Sequence, residues 1–199
     1  MAIKLGGVGS DVKKKGLIKG LFLGCIVVVV NILSFYYMTG TVESHPLLIL
    51  PGSFILTIVI PLITIILFTL NIRKSIGGYW SFRQAVTAIF IMLFTTYIML
   101  TIGRDILFVK LVEPNMVQKI GAVMVESRML KDKLDGMPPA QITQDLAFEK
   151  KNFSVQVDNG QWAIVESIPE NILITFVLAV MLSAVFKKER TILVEKTVE

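Results

Sequence analysis

Five ionisable side chains in this 199-residue chain border long apolar runs: Arg104, Asp105, Glu113, Glu166 and Glu170. Gathered at one rim, such groups could bind a cationic headgroup, a metal or a glycan. Converging carboxylates of Glu113, Glu166 and Glu170 could also supply acid–base chemistry. The reading preferred for the same five residues is an interfacial belt of ion pairs. The rest of the chain is poor in reactive groups. Its single histidine, His45, cannot make a metal-binding histidine pair, and its single cysteine, Cys25, cannot form an intrachain disulfide. No glycine loop runs into Lys-Ser or Lys-Thr to cradle a phosphate. The hydroxyls of Ser53, Thr57, Thr64, Thr95, Thr96 and Thr101 could line a polar path, or could satisfy their own helix carbonyls. The expectation is a protein that is not an enzyme and needs no cofactor or metal.

The elements that must position these groups are four apolar runs. Leu47–Leu70 carries no charged side chain over its 24 residues. About twenty apolar residues, rising about 1.5 Å each, cross the roughly 30 Å hydrocarbon core of a bilayer. The chain is 54% apolar and only 18% charged, with a mean hydropathy of +0.71. A soluble domain is nearer a quarter charged. The net charge of +5 does not indicate nucleic acid, because the cations flank the apolar runs. Lys13, Lys14, Lys15 and Lys19 open the first; Arg73, Lys74 and Arg83 separate the second from the third; Lys187, Lys188 and Arg190 follow the fourth. That is the pattern that retains Lys and Arg in the cytoplasm, so both termini are expected inside. A cleaved signal or a lipidated Cys25 is not expected, since the apolar run lies mostly after the cysteine.

The first span is expected over 17–38. Gly16, Gly20 and Gly24 recur every four residues and form one helix face suited to close packing, with Asn31 deep in the span as a helix–helix hydrogen-bond donor. Pro61 should kink the second span. Gly77-Gly78 marks a turn, and Ser81 with Gln84 has capping-box spacing. A single helix is expected from Phe82 to Val112, placing Arg104 and Asp105 at the outer headgroup level. Between the third and fourth spans, Pro114–Leu134 reads as an amphipathic helix through Val117, Ile120, Met124, Val125, Leu130 and Leu134, ended by Gly136, Pro138 and Pro139. Residues 141–151 read as a short second helix. Phe153, Val155 and Val157 before Asp158-Asn159-Gly160 suggest a loop or small hairpin, and Asn152-Phe153-Ser154 matches a glycosylation acceptor. Ser167 and Glu170 have capping-box spacing for a fourth span reaching Phe186.

Three places carry a likeness to a known family: Lys15-Gly16-Leu17-Ile18-Lys19-Gly20, Gly78-Tyr79-Trp80-Ser81-Phe82-Arg83-Gln84-Ala85, and Val112-Glu113-Pro114-Asn115. With them the chain resembles the bacterial membrane proteins grouped as domain of unknown function 4199, typical of Bacteroidota. Members commonly show Ser-Phe-x-x-Ala and Asp-Pro at the latter two places; here Glu113 stands for the aspartate. The resemblance implies a four-span inner-membrane protein with a longer segment between the third and fourth spans. It implies no established activity, so no catalytic residues carry over.

The fold expected is therefore an all-α membrane protein: four transmembrane helices with a mainly helical periplasmic insert. The divisions are a cytoplasmic tail (1–15), three spans with short loops (16–104), the insert (105–166), the fourth span (167–188) and a second cytoplasmic tail (189–199). The expected role is a non-enzymatic accessory or scaffold subunit that binds a partner protein or lipid headgroups and packs through the first helix, as a hetero- or homo-oligomer. The alternative is a small transporter or lipid-linked-substrate translocator, assembled as an oligomer around Asn31, Pro61 and the threonines.

Overall fold

A computed structural model describes residues 5–41 and 46–188; Glu43, His45 and the tail from 189 onward lie outside the described residues. The described chain is helical, with no strand among its residues. Four helices are long and apolar enough to cross a membrane. We label them α1 (Leu5–Thr41), α2 (Ile49–Ser75), α3 (Phe82–Leu111) and α5 (Pro139–Phe186), of which Val165–Phe186 is the apolar part. Helix α4 (Met116–Leu134) lies between α3 and α5.

The bundle is organised around α1 and α3, which run parallel. A Cβ on Gly16 would stand 2.7 Å from the Ala88 carbonyl oxygen, on Gly20 2.6 Å from that of Met92, and on Gly24 2.5 Å from the Met99 Cβ. Apolar side chains gain little from leaving lipid for protein, so such association rests on close van der Waals fit. Three missing side chains, one per turn, allow that fit. The glycine face is thus filled by α3 of the same chain. Leu23, Val27, Ala85, Ala88, Ile89 and Met92 complete the core between these helices.

The other two helices attach to this pair, α2 mainly through α1 and α5 through α3. Helix α2 runs antiparallel to α1: Lys15 Nζ donates to the Ser75 carbonyl at 2.7 Å, the Lys19 ammonium lies 5.2 Å from the Phe68 ring centroid, and Tyr37 donates to the Leu48 carbonyl at 2.9 Å. Helix α5 runs antiparallel to α3, with Phe176 edge-on to Phe90 and Trp80 reaching Phe186.

Local chemistry sets the helix ends. Ser81 and Gln84 form the expected capping box: the Gln84 N–H donates to Ser81 Oγ at 3.3 Å, and the Ser81 N–H to Gln84 Oε1 at 2.9 Å. The turn before it needs two left-handed residues, supplied by Gly77 (φ +100°) and Gly78 (φ +81°). Helix α4 stops where expected, in a Schellman turn: Met137 N–H to the Asp132 carbonyl and Gly136 N–H to that of Lys133. Pro139 then opens α5, where a missing N–H costs nothing.

Proline acts in α2 by changing the helix type. Pro61 lacks an N–H and crowds the carbonyl four residues back. The chain answers with a π-helical stretch, Ile55–Val59, in which the Ile60 N–H donates to the Ile55 carbonyl.

Helix α5 overturns three expectations. Residues 141–151 do not form a separate helix, no hairpin follows them, and Ser167 caps nothing: α5 is continuous from Pro139 to Phe186 with Pro169 inside it. The turn signal at Asp158-Asn159-Gly160 had no second strand to pair with. A lone hairpin is marginal, whereas adding residues to an existing helix gains a hydrogen bond per residue. The later part of the insert, from Pro139, and the fourth span are one rod, about 70 Å long by its 48 residues.

Candidate functional site: a polar knot between the first and third spans

Twenty uncharged residues separate Arg83 from Arg104 on α3, a rise of about 30 Å. The two arginines therefore bracket an apolar band as thick as a hydrocarbon core. At its far edge the Arg104 guanidinium donates twice, from Nε to Asp105 Oδ1 at 2.6 Å and from Nη1 to Asn31 Oδ1 at 3.1 Å. Asn31 in turn donates from Nδ2 to the Val27 carbonyl at 2.9 Å. Asn31 is thus the acceptor across the helix pair, not the donor expected, and it lies level with the charged edge of α3 rather than deep in the apolar band.

The backbone around this knot is unusual. Thr101–Phe108 is π-helical, and the Val109 N–H reaches back to the Arg104 carbonyl. π-Bulges recur at functional sites because the extra residue in the turn re-aims its side chains. Gly103, within the stretch, lies against α1: a Cβ there would stand 2.9 Å from Val28 Cγ2. Sequence reading missed Gly103, whose signal was its position beside the only charged pair on α3.

Of the five expected rim residues, Arg104 and Asp105 pair with each other, and Glu113 accepts from Lys119 Nζ of α4 at 2.9 Å. Glu166 and Glu170 are exposed on α5, flanking Pro169. Among the described residues no group of three or more His, Cys, Asp or Glu side chains could hold a metal. The hydroxyls proposed for a polar path bond to nearby carbonyls: Ser53 to Leu50, Thr57 to Ser53, Thr64 to Ile60, and Thr96 to both Met92 and Gly20. Thr95 is buried at the glycine contact, and Thr101 opens the π-stretch.

Above the knot, α1 leaves the apolar band and enters a small head. Phe35 packs on Phe108 and Met116, and Met38 on Ile49 and Val123, so α4 is seated directly on α1 and α2. The stripe of α4 that packs inward includes Ile120 and Met124, as expected, but its most buried side chains are Met116, Val123, Ser127 and Asp132, while Leu134 is largely exposed. Asp132, 1% exposed, pairs with Arg128 at 3.3 Å, and its Oδ2 has no hydrogen-bond partner. This pair was legible only as an i, i+4 spacing of opposite charges.

A family model described as "Protein of unknown function (DUF4199)" matches residues 19–188. The chain belongs to the DUF4199 family. The match begins within α1 and takes in the rest of that helix, the other three apolar helices, the knot and the head. No curated protein and no solved structure matches it.

In this DUF4199 protein the knot ties α1 to α3. Asp105 neutralises Arg104, and Asn31 fixes the guanidinium at one height on α1. An ionised pair at an apolar edge is tolerated only with such internal compensation. The result pins the register between α1 and α3 where the spans give way to the head.

Proposed function

We propose that this protein is a non-enzymatic accessory or scaffold subunit of the bacterial inner membrane, whose spans hold the α4–α5 hairpin at fixed height for a partner protein or lipid headgroups. The observation that carries the reading is the bracing of the hairpin. One arm, α5, continues unbroken into the fourth span, and the other, α4, is packed on α1 and α2 through Met116 and Val123. A hairpin held at both arms keeps its outer face in one orientation, which lowers the ordering cost of binding. That face exposes Leu134 and Phe148, each 67% accessible. The cations at the opposite end support an orientation with both termini in the cytoplasm and the hairpin in the periplasm.

Photo-crosslinkers at Leu134 and Phe148 test the reading in membranes. Crosslinks to a protein or to phospholipid are expected; a chain that crosslinks to neither, and purifies alone, defeats it. Reporter fusions at each terminus check the orientation, and a terminus found outside the membrane overturns it. The translocator alternative needs water-facing hydroxyls, and those of Ser53, Thr57, Thr64 and Thr96 are engaged with carbonyls.

A further inference from the structure

Among the described residues, the end of the bundle opposite the head is rich in cations and poor in anions. Lys13, Lys14, Lys15, Lys19, Arg73, Lys74, Arg83, Lys187 and Lys188 all lie there, against Asp11 alone among the described acids. None of the nine takes part in an ion pair among the described residues. The fold draws them together. The Trp80 indole donates from Nε1 to the Phe186 carbonyl at 2.9 Å, and the Arg73 guanidinium donates to the same oxygen at 3.3 Å. The Trp80 N–H also donates to the Lys188 carbonyl at 3.0 Å. Lys188 Nζ lies 5.4 Å from the Tyr79 ring centroid. The last turn of α5 is thereby tied to the end of α2, and Arg73, Lys74, Lys187 and Lys188 become one patch beside an interfacial tyrosine and a buried tryptophan.

We propose that this patch is a binding site for the headgroup phosphate of an anionic phospholipid. Charge complementarity selects the class: clustered cations bordering an apolar span recognise anionic headgroups, and among the described residues no carboxylate pairs with these cations. Arg73 spends one nitrogen on Phe186, which leaves further N–H donors for a phosphate oxygen. Lys74, Lys187 and Lys188 are exposed. The apolar flank of α2 and α5, with Leu67, Met181 and Val185 exposed, receives the acyl chains. The site stands at the other end of the molecule from the hairpin and does not depend on the scaffold reading.

The test reconstitutes the full chain in phosphatidylcholine bilayers and measures the motionally restricted fraction of spin-labelled phosphatidylglycerol against spin-labelled phosphatidylcholine. The native protein should prefer the anionic lipid several-fold, and 0.5 M salt should reduce that preference. The triple variant K74Q/K187Q/K188Q should lose that several-fold preference and fall to near parity, since each cation near the surface contributes. The control K131Q/K133Q/K150Q removes as many exposed lysines from the hairpin and should keep it. Equal association of both lipids with the native protein overturns the proposal, as does an equal loss in the control. If inorganic phosphate at matched ionic strength abolishes the preference, the site is one for a free anion and the lipid assignment fails. Should the triple variant not fold, the salt and phosphate arms on the native protein decide.

Discussion

Replacing Gly20 by alanine adds one methyl group at the tightest backbone contact between α1 and α3. That carbon would sit 2.6 Å from the Met92 carbonyl oxygen and 2.7 Å from the Thr95 Cβ, where ordinary contact begins near 3.4 Å. A carbonyl oxygen of a helix cannot rotate aside, so the helices must part by several tenths of an ångström. Overpacking of this kind costs about 1–3 kcal/mol. Parting the helices also stretches the bond from Thr96 Oγ1 to the Gly20 carbonyl, now 3.2 Å, which between membrane helices is worth about 0.6 kcal/mol. Against this, alanine is favoured over glycine in a helix by up to about 1 kcal/mol. The net expectation is a loss of about 1–2 kcal/mol, a factor of roughly 5–30 in the folding equilibrium. Gly40 provides the control, because a Cβ there meets nothing within 4 Å. Gly40→Ala should leave stability unchanged or raise it by up to about 1 kcal/mol. Reversible unfolding in mixed detergent micelles measures both. If Gly20→Ala proves as stable as Gly40→Ala, the close approach of α1 and α3 is not a feature of the folded protein, and the assignment of the glycine face to an internal contact is refuted.

Other substitutions probe the knot, the cap, the head and the π-turn. Asn31→Leu and Arg104→Met, combined in a double-mutant cycle, should show a coupling of about 0.5–2 kcal/mol; independent effects would mean that the bond between them carries no energy. Trp80→Phe removes one of two donors to the Phe186 carbonyl from a residue that is 2% exposed, and should cost about 1–3 kcal/mol in the same unfolding assay. Arg128→Met leaves Asp132 buried without its cation, and a loss of about 3 kcal/mol is expected; native-like stability would show that the Asp132 charge is compensated elsewhere. Pro61→Ala restores an N–H next to the π-stretch. The Ile60 amide should then bond to Leu56 instead of Ile55, without loss of stability, and spin-label distances along α2 should change as the stretch converts to α-helix.

How much of this was legible in the chain depends on the range over which each signal acts. Span number and position follow from the run length of apolar residues, and Leu47–Leu70 admits no other reading because the bilayer leaves a backbone little choice but a helix. The capping box at Ser81 and Gln84, the Gly77-Gly78 turn and the stop at Gly136 act over four or five residues, and each was correctly read. The Asp158-Asn159-Gly160 turn signal is equally local, yet it was overridden. A turn needs two strands to join, and here helix lies on both sides of it. Ser167 failed as a cap for the same reason: nothing ended before it.

What the sequence by itself determined is composition and local preference: four apolar rods, cations concentrated at one end, a glycine every fourth residue on the first rod, and a pair of opposite charges where the third apolar band stops. Which rod fills the glycine face was decided only by the tertiary structure, because spacing describes a surface and not its partner. The meeting of Asn31 with Arg104, 73 positions apart, and the burial of Asp132 in the head were decided the same way. Both depend on the register in which α1, α3 and α4 pack, and that register is set by the summed fit of many weak contacts, to which no single residue type is a guide.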